Sequence, residues 1–227
     1  MSRRVALVPA AGIGARFGAA SPKQYLQLLG QPLMWHTLAT LSAVETIDEV
    51  AVVISPADEW FDDYRWEFPR LSVRRVGGAS RALTVRQGLA SIAPADEDWV
   101  LVHDAARCCL SVAMVERLVA EIGDDAVGGL LALPVPDTVK RADAESRVAT
   151  TLPRQGLWLA QTPQMFRAGA LQRALQGELG EEVTDEASAI EMLGLKPLLV
   201  EGDASNFKVT WPRDLPLARA ILEARKS

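Results

Sequence analysis

The sequence predicts an α/β fold, an open, mostly parallel twisted sheet with helices on both faces, and three observations carry that expectation. Short apolar runs alternate with longer stretches of helical periodicity along most of the chain, as βα units do. Three of those runs, Val5 to Val8, Glu49 to Ser55 and Trp99 to Val102, are apolar at nearly every position rather than at every second one, the texture of strands covered on both faces. Two of the strands are followed by glycine-bearing turns, at the carboxyl ends where open α/β sheets bind ligands.

The first strand, Val5-Ala6-Leu7-Val8, delivers Pro9-Ala10-Ala11-Gly12-Ile13-Gly14-Ala15-Arg16-Phe17-Gly18, continued by Ser21-Pro22-Lys23-Gln24-Tyr25. Small residues let the main chain come close to a ligand, and a run of exposed N–H groups forms a concavity suited to anions. Arg16 and Lys23 add positive charge to it. The spacing is not that of a dinucleotide fingerprint, because Phe17 stands where the third glycine is required, nor that of a P-loop, because no Gly-Lys-Ser/Thr follows. The competing reading is a tight strand-to-helix connection with no ligand.

A first helix is expected over Pro32 to Leu41, with proline in its first turn. The strand Glu49 to Ser55 ends at Pro56 without the acid that a nicotinamide dinucleotide site uses to hold its ribose, which weighs against an oxidoreductase. A helix is expected from Asp58 to Glu67. Ser72 to Val76 reads as a strand leading into Gly77-Gly78-Ala79-Ser80-Arg81, then a helix from about Ala82 to Ile92. The two glycines either line the same crevice as the first loop or merely turn the chain.

The strand Trp99 to Val102 brings His103-Asp104-Ala105-Ala106-Arg107 to the same edge. Asp104 and Arg107 form either a structural ion pair or an acid facing magnesium or a substrate hydroxyl beside an arginine facing an anion. His103 reads as a packed, hydrogen-bonded side chain, and His36 lies in an apolar helical pattern, so neither is assigned to catalysis.

A helix over Val112 to Ile122 and a buried strand over Val127 to Leu133 follow. Pro134 to Arg141 and Arg147 to Leu152 then alternate apolar and polar residues about a charged turn, the pattern of a solvated hairpin. Such a hairpin is marginal alone and more stable against another subunit, so it is read as a dimerisation arm. The segments Pro153 to Trp158 and Gln161 to Phe166 return the chain to the body, with a helix from about Ala168 to Gln176. Thr184-Asp185-Glu186-Ala187 caps a helix through Leu193, its acids favoured by the helix dipole. Leu198 to Val200 is a late strand, Asn206-Phe207-Lys208-Val209-Thr210 follows, and Asp214 opens a closing helix.

Composition narrows the class of function. The 227 residues suit a single domain, 1–227, with the arm at about 135–155. A net charge of -5 argues against a nucleic-acid or anionic-membrane partner. With no apolar run of about 18 residues and no signal-peptide pattern, a cytoplasmic location is the expectation. The two cysteines, Cys108 and Cys109, are adjacent and suit neither a disulfide framework nor a zinc site.

Taken in order, Pro9-Ala10-Ala11-Gly12 with Arg16, Pro22-Lys23-Gln24-Tyr25, Gly77-Gly78 with Arg81, Val102-His103-Asp104-Ala105-Ala106-Arg107, Asp137-Thr138, Gln161-Thr162-Pro163-Gln164, Thr184-Asp185-Glu186-Ala187 and Lys208-Val209-Thr210 resemble the family of 2-C-methyl-D-erythritol 4-phosphate cytidylyltransferases over almost the whole chain. The resemblance implies a Rossmann-like nucleotidyltransferase fold and transfer of CMP from CTP to methylerythritol phosphate in non-mevalonate isoprenoid synthesis. It also implies a homodimer, and magnesium held mainly by the CTP phosphates, with no protein metal ligand assigned.

By the same resemblance, Arg16, Lys23, Arg154 and Lys208 are the catalytic positions, the first two against the triphosphate and the others against the acceptor phosphate. Ala10, Ala11, Gly12, Gly77, Gly78 and Thr84 match the cytidine-binding positions, and Asp104, Arg107, Thr138 and Thr162 those that orient the sugar phosphate. Thr138 and Arg154 are implied to come from the neighbouring subunit's arm. Thr84 replaces a family serine, Ala79 stands where an acid is common, and Cys108 stands where proline often follows the arginine. A sister activity on another polyol phosphate such as ribitol 5-phosphate is the main alternative. A binding module without turnover fits less well, having no need of both Arg16 and Lys23.

Overall fold

A computed structural model of the chain describes residues 2–12, 21–177, 179–180 and 182–225. In chain order it runs β1 (Arg4–Pro9), the short ribbon β2 (Gln27–Leu28) and β3 (Gln31–Pro32), α1 (Leu33–Ala43), β4 (Glu49–Val53), β5 (Leu71–Arg74), α2 (Arg81–Ile92), β6 (Trp99–Val102), α3 (Val112–Ile122) and β7 (Gly128–Pro134). The hairpin β8 (Val139–Ala142) and β9 (Val148–Leu152) follows, then β10 (Trp158–Arg167), α4 (Ala168–Ala174), α5 (Glu186–Met192), β11 (Leu198–Glu201) and α6 (Leu215–Ala224).

Seven strands make one sheet in the order β11-β7-β10-β6-β1-β4-β5. All neighbours are parallel except β10, which runs antiparallel to both β6 and β7. Alternation of side chains along each strand splits the core into two layers. Ala6, Val8, Val50, Val52 and Leu101 face α1 and α3 through Met34, Leu38, Met114 and Leu118. Leu7, Val53, Val100 and Val102 face the other way, onto Val85 and Leu89 of α2, Leu171 of α4 and Ile190 of α5. The expected sheet with helices on both faces is therefore observed. No helix among the described residues is long and apolar enough to cross a membrane.

Two expectations need correction. The segment from Asp58 to Glu67 is not an α-helix: it holds one 3-10 turn, Phe61–Asp63, in an otherwise irregular strap. The Asp58 carboxylate accepts the N–H groups of Trp60 and Phe61, a side-chain-to-backbone competition that works against helix propagation. The aromatic side chains of the strap gain more by packing inward: Trp60 and Tyr64 stack on Tyr25, and Phe61 stacks on Trp66.

The second correction is β10: the segment expected only to return the chain to the body is an interior strand of the sheet, between β7 and β6. Its buried stretch includes Gln161, Thr162 and Gln164, so it lacks the apolar texture of its neighbours. Its register with β7 shifts between Ala160 and Gln164, where Pro163 has no N–H to give to a ladder. The hairpin is present as expected, with Val139 paired to Leu152 and Lys140 to Thr151. It forms a separate two-stranded sheet on which Val148 is 64% exposed.

Candidate functional site

At the carboxyl edge of β1, β5 and β6 lies a cavity of about 210 Å³. Its walls come from the loop after β1, the turn after β5, the loop after β6 and the segment around Lys208. Both glycine-bearing turns are stitched to the end of β4. The Ala10 N–H donates to the Val53 carbonyl and the Gly77 N–H to the Ile54 carbonyl, each at 2.8 Å. The turns therefore lie side by side, and closely: a Cβ on Gly77 would sit 2.3 Å from the Ala11 Cβ and 2.8 Å from the Ile54 oxygen. Glycine at 77 is a packing requirement of this juxtaposition, since no real side chain survives such a distance. Next to it, Thr84 donates its hydroxyl to the Ser80 carbonyl at 2.8 Å and accepts the Gly78 N–H at 3.1 Å, while Ser80 caps α2 through the Leu83 N–H. The Thr84 hydroxyl thus shapes the turn from within.

Lys23 stands on a 3-10 turn, Lys23–Tyr25, whose other side chains anchor it. Gln24 donates its amide to the Ala10 carbonyl at 2.8 Å. The Tyr25 hydroxyl donates to Asp58 at 2.7 Å, and burial together with that carboxylate pushes the phenol well above its ordinary range. Lys23 donates to the Val209 carbonyl at 2.7 Å, and the Val209 N–H donates to the Ala106 carbonyl at 2.9 Å. Cations from near the two ends of the chain, Lys23 and Lys208, consequently line one cavity.

An alternating series of charges crosses the site. Glu186, at the first position of α5, is buried and takes both terminal nitrogens of Arg81, at 2.6 and 2.9 Å. The Nε of Arg81 donates to Asp104 Oδ1 at 2.8 Å, and Lys208 donates to Asp104 Oδ2 at 2.8 Å. Arg107 lies 3.7 Å from the same carboxylate and spends its terminal nitrogens on the carbonyls of Asn206 and Ala160. Burial opposes ionisation of Asp104, but Arg81 and Lys208 outweigh it and hold the carboxyl far below the ordinary carboxylate range.

Beneath Asp104 a second network fixes the loop. The Asp104 N–H donates to Thr162 Oγ1 at 3.0 Å, that hydroxyl meets His103 Nδ1 at 3.0 Å, and His103 Nε2 meets the Arg107 carbonyl at 3.3 Å. These contacts are mutually consistent when the neutral ring carries its proton on Nε2 and accepts from Thr162 on Nδ1. Burial, opposed by Asp104, lowers the His103 pKa to about 4, so the ring is uncharged at neutral pH.

Of the residues singled out from the sequence, Ala10, Ala11, Gly12, Lys23, Gly78, Thr84, Asp104 and Lys208 line the cavity. Gly77, Arg107 and Thr162 are not among its lining residues; their contacts support the turn and the Asp104 loop from outside it. Thr138 and Arg154 are exposed on the arm, where Arg154 donates to the Pro136 carbonyl. Arg16 lies outside the described residues. Three residues not assigned to the site from the sequence belong to it: Gln24, Arg81 and Glu186. Arg81 carried a signal, since a cation in the first turn of a helix is disfavoured by the dipole unless an acid meets it.

Comparison with known proteins identifies the family. The family model described as "IspD: 2-C-methyl-D-erythritol 4-phosphate cytidylyltransferase" matches residues 4–224. A relative from Chromobacterium violaceum, named 2-C-methyl-D-erythritol 4-phosphate cytidylyltransferase, is 74% identical over 97% of this chain and 98% of its own. Among solved structures, a 4-diphosphocytidyl-2C-methyl-D-erythritol synthase is 43% identical with a TM-score of 0.86, covering 98% of this chain and 99% of its own. The Francisella tularensis 2-C-methyl-D-erythritol 4-phosphate cytidylyltransferase is 35% identical with a TM-score of 0.83, covering 97% of this chain and all of its own.

Proposed function

The chain belongs to the 2-C-methyl-D-erythritol 4-phosphate cytidylyltransferase family, and from that premise we propose that it transfers CMP from CTP to 2-C-methyl-D-erythritol 4-phosphate, forming 4-diphosphocytidyl-2-C-methyl-D-erythritol and pyrophosphate. The observation that carries the reading is a single cavity lined by two small-residue turns together with Lys23, Lys208 and Asp104. A phosphate oxygen of the polyol attacks the α-phosphorus of CTP in line, and the bond from that phosphorus to the bridging oxygen of the leaving pyrophosphate breaks.

The acceptor phosphate, with a second pKa of about 6, is largely dianionic at neutral pH and needs no general base. His103 is not asked to be one, being buried, neutral and engaged at both nitrogens. Catalysis is then positioning and charge neutralisation. In this reading Lys23, with Arg16, meets the triphosphate and the charge that develops on it. Lys208 holds the acceptor phosphate, with Arg154 and Thr138 contributed by the arm of a second copy in a homodimer. Asp104 accepts from polyol hydroxyls, while Arg107 and Thr162 hold it in place. The turns carrying Ala10, Ala11, Gly12, Gly77 and Gly78, shaped by Thr84, take the cytidine. Residues 1–227 act as a single catalytic domain, and the enzyme works in the cytoplasm.

Magnesium, when bound, would be held by the CTP phosphates and would neutralise part of their charge. Among the described residues no cluster of acids, histidines or cysteines forms a cage for it, and both oxygens of Asp104, the acid lining the cavity, are held by cations. No step is assigned through the metal.

The test is pyrophosphate release by the purified protein with each of the four ribonucleoside triphosphates, using methylerythritol phosphate and ribitol 5-phosphate as acceptors. CTP with methylerythritol phosphate is expected to have the highest kcat/KM. Equal turnover of ribitol 5-phosphate, or of a purine nucleotide, would overturn the assignment.

A further inference from the structure

We infer that Glu186, which lies outside the cavity, is a positioning residue for the polyol phosphate: by occupying both terminal nitrogens of Arg81 it fixes the direction in which the Asp104 carboxylate faces. The inference rests on the reaction proposed above. A guanidinium offers its N–H donors in a rigid planar fork, and a lone carboxylate beside it prefers to take two of them at once. Asp104 does not. It gives only Oδ1 to the Arg81 Nε, because Glu186 fills the fork at 2.6 and 2.9 Å, and its Oδ2 is left to Lys208.

The arrangement grades from interior to solvent. The Glu186 side chain is 1% exposed and that of Lys208 is 43% exposed. Lys208 therefore has ammonium protons left for a phosphate, while Asp104 holds it at a fixed place on the cavity wall. Among the described residues Glu186 pairs with Arg81, through both of its carboxylate oxygens. If its charge is removed, three cations, Arg81, Arg107 and Lys208, compete for Asp104 alone. The freed fork of Arg81 then draws Asp104 into a two-oxygen contact, away from Lys208. The groups that would grip the acceptor lose their geometry, whereas the turns that would hold the nucleotide are built on β4 and Thr84 and are untouched.

Three variants test this by steady-state kinetics, with both substrates varied. Glu186→Gln keeps the side-chain shape and removes the charge, whereas Arg81→Lys keeps the charge and removes the fork. The pair Arg81→Met with Glu186→Gln leaves neither ion buried without a partner, which guards against a folding failure in the single variants. In each, KM for the polyol phosphate is expected to rise about tenfold or more, the size of a lost charge-assisted contact, with KM for CTP within about threefold of wild type. Glu186→Asp, which restores the charge one methylene short, should recover part of the loss. Two results overturn the inference: a polyol-phosphate KM within about twofold of wild type in the folded variants, or an equal rise in both KM values, which is what general loosening would give. Wild-type protein that releases no pyrophosphate with any polyol phosphate would instead sink the proposed reaction.

Discussion

His103 and Asp104 are neighbours treated oppositely by the same environment. Burial favours the uncharged form of each. For His103 that influence wins, and its pKa falls from 6.5 to about 4. For Asp104 the flanking cations win, and the carboxyl stays ionised well into acid. Both shifts act on stability in the same direction. A histidine whose pKa is lower in the folded state stabilises the fold fully above about pH 6.5 and loses that contribution as the pH falls toward about 4, a change of up to about 3 kcal/mol. Asp104, also depressed, gives up its share only at still lower pH. Thermal unfolding followed by circular dichroism should therefore show Tm declining across the histidine window, and His103→Asn should flatten that decline. An unchanged slope in the variant would assign the acid sensitivity elsewhere.

Among the secondary elements, the end of β4 does the organising. Its last carbonyls bind the loops that follow β1 and β5 and bring them close enough for Gly77 to touch Ala11. The strap after β4 adds a second tie, because Asp58 receives the Tyr25 hydroxyl and its carbonyl receives Arg75, two residues before Gly77. The Lys23 turn and the glycine turn are thus braced by one segment. Gly77→Ala must push these loops apart, since the added carbon would meet two atoms under 3.0 Å. The expected loss is roughly 1–3 kcal/mol of stability, with weaker CTP binding by isothermal titration even where the protein remains folded. Wild-type affinity for CTP in this variant would show that the two turns do not act together on the nucleotide.

The body of the molecule is well packed, but the arm is not. Its strands β8 and β9 pair with each other and carry an exposed Val148, with Thr138 and Arg154 on the surface. In the shared-site reading, one dimer cavity uses Lys23 from one protomer and Arg154 from its partner. Lys23→Met and Arg154→Met should each be nearly inactive alone. Co-refolded, they form mixed dimers in which one site carries both lesions and the other carries none, as two-fold symmetry requires. Random equimolar mixing makes about half the dimers mixed, so activity should return to roughly a quarter of wild type per chain. Were Arg154 to serve its own protomer's site, every site would carry a lesion and mixing would restore nothing.

Much of this was legible in the residue pattern because it depends on neighbours in sequence. The apolar runs of β1, β4 and β6 announce doubly covered strands, and the turns after β1 and β5 announce themselves by glycine. The cavity-lining Lys23, Asp104 and Lys208 were identifiable because each sits in a short motif. What stayed hidden depends on partners far apart along the chain. Nothing beside Glu186 in sequence reveals that it meets Arg81, and nothing in Gln161 to Gln164 reveals a central strand. Their polar side chains look solvent-facing until the fold supplies Asn206, Asp203 and Asp185 as hydrogen-bond partners. The aromatic strap misled for the same reason, since the gain from stacking on Tyr25 is a tertiary contact that outweighs local helical preference. Local pattern settles where strands and turns lie, whereas the burial of polar and charged groups is decided when distant segments close on one another and satisfy them.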